Sequence, residues 1–114
     1  MVSTRIPKVN QLIREELSKI IFREIDFEEG VLVTLTRVDA APNLQQAKIY
    51  ISTMPAKNAK EALNILGKNI YSIQQMLNKK LRMRPVPRIY FVEEKETVKA
   101  GKIEELLEKI KNNG

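Results

Sequence analysis

The residues best equipped for chemistry in this 114-residue sequence are its 20 lysines and arginines, set against 14 aspartates and glutamates. Their placement says more than the net charge of +6. Positions 40–92 hold nine bases (Lys48, Lys57, Lys60, Lys68, Lys79, Lys80, Arg82, Arg84 and Arg88) and one acid, Glu61, a local charge of +8. The remainder carries −2. Lys60, Asn64, Lys68, Tyr71, Gln75, Lys79 and Arg82 recur at steps of three and four, which on a helix makes one stripe without an acid. Cations suit phosphates, while amides and a tyrosine can reach sugars and bases. A merely solvated helix face ordinarily mixes signs, so nucleic-acid contact is the favoured reading. Residues 79–88 (KKLRMRPVPR) concentrate five bases on a stiff, proline-containing segment whose Leu81, Met83 and Val86 alternate with them and can pack inward. Tyr71 is the candidate for an exposed stacking ring. Phe91, Tyr50 and Tyr90 are expected in core or edge packing.

Other chemistries lack their parts. The sequence contains no Cys and no His, so it can form no disulfide, thiolate nucleophile, Cys-ligated zinc or histidine triad. Of its adjacent glutamate pairs, Glu104 and Glu105 point apart on a helix, and nothing marks Glu28 with Glu29 as buried, so the pairs support no acid–base site. The glycines are scattered and form no phosphate loop. No catalytic residue, metal site or cofactor is therefore expected. No apolar run is long enough to span a bilayer and no signal-peptide core opens the chain, so a cytoplasmic protein with no membrane partner is expected.

The elements that position the cations follow from hydrophobic period. Val9, Leu12, Ile13, Leu17, Ile20 and Ile21 make a helical stripe, entered at Pro7 and ending before Glu28-Glu29-Gly30, where Gly30 supplies a turn. Residues 31–38 (VLVTLTRV) read as a strand. After the Pro42-Asn43 turn, Ala47, Ile49 and Ile51 alternate with Lys48, Tyr50 and Ser52 as a second strand, antiparallel to the first. A long helix begins near Asn58, with Ala59, Leu63, Leu66, Ile70, Ile73, Leu77 and Leu81 apolar. Gly67 near its middle predicts a kink, break or close contact, because glycine there costs roughly 1 kcal/mol against alanine. Residues 89–92 are a third strand, and Ile103, Leu106, Leu107 and Ile110 mark a last helix before a frayed tail at 112–114. The order α-β-β-α-β-α predicts one α+β domain over 1–114, a three-stranded sheet packed against helices, its third strand parallel to the hairpin. Val9, Ile13, Leu17, Ile49, Leu63, Ile70 and Leu77 are the expected core.

Five ordered segments resemble a known family. Residues 8–17 (KVNQLIREEL) are similar to the opening helix of ribosome-binding factor A. Residues 33–44 (VTLTRVDAAPNL) resemble its first strand and turn, and 46–52 (QAKIYIS) the strand that follows. Residues 81–91 (LRMRPVPRIYF) look like its basic Leu-Arg to aromatic-Phe segment, and 103–107 (IEELL) its closing helix. The resemblance implies a type II KH-like fold without the Gly-x-x-Gly loop. It also implies an Ala-x-Gly kink, aligned here with Ile65, Leu66 and Gly67. It implies a non-enzymatic factor that binds free 30S subunits and their ribosomal RNA during late rRNA processing and assembly, with a part in cold adaptation. Under that reading Lys60, Lys68, Lys79, Lys80, Arg82, Arg84 and Arg88 are the expected RNA contacts, with Arg5 and Lys8 secondary. The expected partner is the free small subunit, with no small-molecule substrate, and a monomer is expected. The alternative is a protein-interaction module whose basic surface meets an acidic protein.

Overall fold

The computed structural model describes residues 5–95. The last expected helix and the tail at 112–114 lie outside the described residues. Helix α1 (Arg5–Glu24) buries Val9, Ile13, Leu17, Ile20 and Ile21 along one stripe. Leu12, expected in that stripe, sits at its margin and is 49% exposed. After Gly30, whose φ of 85° the turn requires, β1 (Leu32–Ala40) runs antiparallel to β2 (Gln46–Met54). A bulge between Leu35 and Arg37 shifts the register. Leu44 takes a φ of 58° in the connecting turn, and Asn43 Oδ1 accepts from the Gln45 amide at 3.0 Å.

A single 3-10 turn (Ala56–Asn58) leads into α2 (Ala59–Lys68) and α3 (Ile70–Lys80), and β3 (Arg88–Glu93) then pairs parallel with β2. The sheet order is β1-β2-β3. The buried side chains of β2 and β3, Ala47, Ile49, Ile51 and Ile89, share the face on which the helices pack. On the opposite face Arg37 lies 3.7 Å from the Tyr50 ring centroid, and its Nε donates to Glu94 Oε2 at 2.9 Å. Tyr90 projects from that face 39% exposed, rather than packing in the core.

The long helix is broken at Asn69, two residues beyond Gly67. Asn69 has a ψ of 9° instead of a helical value, and its Nδ2 donates to the Ile65 carbonyl at 2.8 Å. The Asn69 backbone N–H reaches the same carbonyl at 3.2 Å, so the side chain adds a second donor there. Gly67 keeps a negative φ, and a Cβ placed there would meet nothing within 4 Å, so no close contact explains it. The buried stripe is Ala59, Ala62 and Leu66 in α2 and Ile73 and Leu77 in α3. Leu63 and Ile70, expected in the core, are therefore only half-buried at its edge. Val9, Ile13, Leu17, Ile49 and Leu77 are buried as the period requires.

Candidate nucleic-acid interface

All nine cations singled out by sequence are exposed: Arg5, Lys8, Lys60, Lys68, Lys79, Lys80, Arg82, Arg84 and Arg88. None forms an ion pair with a described residue. On α2, Lys60, Asn64 and Lys68 stand one turn apart on the face opposite Ala62 and Leu66. On α3, Tyr71, Gln75 and Lys79 repeat that spacing, and Tyr71 is 75% exposed. The stripe thus holds within each half-helix, and the break at Asn69 joins the two segments. Lys79 and Lys80 occupy the last turn of α3, where their charge also suits the helix dipole.

Beyond α3 the chain turns extended at Leu81, with a ψ of 142°. Arg82 is therefore off the helix on which the stripe first placed it. Leu81 and Pro87 are buried and Met83 and Val86 half-buried, while Arg82, Arg84 and Arg88 face solvent. Apolar anchors thus hold the cations outward, as their alternation requires. Arg84 is partly engaged: its Nη1 donates to the carbonyls of Leu81 at 2.9 Å and Met83 at 2.7 Å. Those bonds shape the loop and leave its other guanidinium donors for a ligand.

Gln74 fastens this loop. Its Nε2 donates to the Pro87 carbonyl at 3.1 Å and its Oε1 accepts from the Ile89 amide at 2.9 Å. A third contact, 3.1 Å to Asn78 Oδ1, orients the amide. Sequence reasoning missed Gln74. A glutamine four residues before an asparagine was the sole signal, and it does not reveal that a strand returns beside it. Gln74, Asn78, Arg84, Val86 and Arg88 line a cleft of about 350 Å³. Its donors and two guanidinium groups can receive a phosphate and an adjoining sugar or base.

The strand register fixes how the cations are distributed. Gln46 pairs with Arg88, and Ala40 pairs with Ala47. Arg88, the end of α3 and the 41–45 turn therefore share one end of the sheet. The start of α1 joins them there, because Asn10 Oδ1 accepts from the Ala40 amide at 2.9 Å. Lys79, Lys80, Arg82, Arg84, Arg88, Arg5 and Lys8 thus gather toward that end. Lys60 follows Met54 at the far end of β2, and Lys68 lies between. The arrangement is a track along α2 and α3 that widens into a basic end. Glu61 is the one acid in the 40–92 span. Among the described residues no acid cluster could hold a metal ion, and no helix is long and apolar enough to cross a membrane.

Comparison with known proteins places this scaffold. The family model described as Ribosome-binding factor A matches residues 5–107. Ribosome-binding factor A of Prochlorococcus marinus is 34% identical over 111 residues, covering 95% of this chain and 85% of that protein. The crystal structure of ribosome-binding factor A from Thermus thermophilus superposes with a TM-score of 0.58 at 18% identity, over 82% of this chain and 94% of that one. A homology model of Thermus thermophilus ribosome-binding factor A, fitted into a cryo-electron-microscopy map of its 30S complex, gives a TM-score of 0.62 at 20% identity, over 73% of this chain and 88% of that one. With these neighbours, the order α-β-β-α-α-β and the parallel third strand are those of a type II KH-like α+β fold.

Proposed function

The chain belongs to the ribosome-binding factor A family, and from that premise we propose that it binds the free small ribosomal subunit, contacting ribosomal RNA during late processing and assembly. The observation that carries this reading is the acid-free track of exposed cations on α2 and α3, continued by the anchored segment through Arg88. KH domains with a Gly-x-x-Gly loop clamp the RNA backbone between their two helices. Here that position reads Gly67-Lys68-Asn69-Ile70, and the Asn69 side chain is spent on the Ile65 carbonyl. Contact then rests on cations and on the shape of the basic end rather than on a glycine clamp. Phosphate neutralisation lowers the cost of holding an immature RNA geometry, with no bond made or broken.

The working unit is the single RNA-binding domain, acting as a monomer in the cytoplasm, without cofactor or small-molecule substrate. A part in growth in the cold follows if an immature RNA fold is slower to resolve at low temperature. Co-sedimentation with free small subunits and with complete ribosomes, across a salt series, tests the reading. Selective, salt-sensitive binding to free small subunits is expected. Absence of binding by folded protein at low salt overturns it. A pulled-down complex that survives nuclease would instead favour an acidic protein partner.

A further inference from the structure

The far edge of the sheet carries a different surface. Among the described residues β1 has a strand on one side only, so its outer edge presents unpaired backbone groups. Edge strands are usually protected by charge, proline or cover. Residues 31–36 (VLVTLT) contain neither a charge nor a proline. A groove of about 460 Å³ runs along them against α1, and five consecutive residues, 31–35, line it. Side chains alternate across a strand, so consecutive lining means that the backbone edge itself faces the groove. Phe22, from α1, borders it and is 91% exposed. Leu32 is 64% exposed, and Met54, its partner in the register, is 69% exposed. Apolar side chains thus flank the edge on both sides, Phe22 on the helix side and Leu32 with Met54 on the open face, and exposed apolar surface of this kind marks an interaction site.

The rim selects the occupant. Glu24, Asp26, Glu28 and Glu29 are all exposed, and Arg23, the one base between 21 and 35, is tied to Glu24 at 3.2 Å. Arg14 is the one charged residue that lines the groove itself, and the four acids flank its lining residues Ile25 and Phe27, so acids outnumber bases around it on a chain whose net charge is +6. RNA is repelled there, and a second copy would set one acidic rim against another. We propose that the edge of β1 binds an extended, cationic segment of a partner protein, adding it as a fourth strand. On the helix side its alternate apolar side chains pack against Phe22, and its lysines or arginines meet the glutamates. Basic arms of this type are common in proteins that lie on nucleic acid.

The test pans a random-peptide phage library on the full chain, then measures the selected synthetic peptide by calorimetry and by amide shifts of the labelled protein. Net-positive peptides with alternating apolar residues are expected, with shifts concentrated at 31–36. Phe22→Ser should weaken binding about tenfold, the size typical of truncating an interface aromatic. It should leave the melting temperature unchanged, because that ring is 91% exposed. Glu28→Lys with Glu29→Lys should weaken the same peptide without touching the apolar wall. Failure to enrich any peptide overturns the proposal, as do acidic or uncharged winners, shifts elsewhere, or binding indifferent to both variants. Self-association abolished by Phe22→Ser would also overturn it, assigning the edge to a second copy.

Discussion

Replacing Lys79, Lys80 and Arg82 together by glutamine removes three exposed cations at the basic end while retaining side-chain length and polarity. None of the three holds a hydrogen bond or ion pair with a described residue, so the change subtracts charge without stranding a partner. Each neutralised phosphate contributes roughly 0.7–0.9 to the slope of log affinity against log salt. If all three contact phosphate, the slope falls by roughly 2–2.7. Between about 50 and 200 mM salt this amounts to roughly 20–40-fold less loss of affinity than the unaltered chain suffers. The assay is binding to free small subunits over that salt range, fitted as a log–log slope. Lys79 and Lys80 also complement the dipole of α3 in its last turn, so each replacement costs about 0.3–1 kcal/mol of stability, visible as a modest fall in melting temperature. The control replaces Lys19 and Arg23, which are paired within α1 to Glu16 at 3.8 Å and Glu24 at 3.2 Å. Its slope should match that of the unaltered chain. An unchanged slope in the triple variant, or an equal fall in the control, refutes the assignment of the basic end as the RNA contact.

Other expected outcomes concern how the scaffold holds that end. Gln74→Ala removes the partners of the Ile89 amide and the Pro87 carbonyl, a loss of about 1–3 kcal/mol in urea unfolding. It should also weaken subunit binding, because Arg84 and Arg88 lose their fixed segment. Leu77→Ala, at a fully buried position, should cost about 2–5 kcal/mol by chemical denaturation, and Leu63→Ala, half-buried, clearly less. Gly67→Ala should raise stability by about 0.4–1 kcal/mol, since its φ is negative and a Cβ meets nothing within 4 Å. Destabilisation there would show that the glycine serves a conformation other than this one.

The sheet and the basic track were legible because both are periodic. Alternation at Ala47, Ile49 and Ile51 marks β2 without knowledge of its neighbours, and a stripe at steps of three and four survives within each half-helix wherever the break falls. The break itself was not legible to the residue. Propensity marks Gly67 as the weak point, but the chain turns at Asn69, whose side-chain amide bonds back to the Ile65 carbonyl beside its own backbone N–H. Leu63 lies ahead of the break in either place and is half-buried because Ala62 and Leu66 take the buried face of α2, and Ile70 at the start of α3 is half-buried as well. The role of Gln74 and the unprotected edge of β1 depend on which strand returns beside which element, and local pattern carries no such information. The same limit applies to the cations. Counted along the chain, Lys60 and Arg88 belong to one basic region. Only the parallel register of β3 on β2 separates them to opposite ends of the sheet and brings Arg5 and Lys8 near Arg88 instead. An RNA that engages the basic end alone would therefore feel Arg88 and Lys8 but not Lys60, and substitutions at Lys60 and at Lys8 distinguish a short contact from one that follows the whole track.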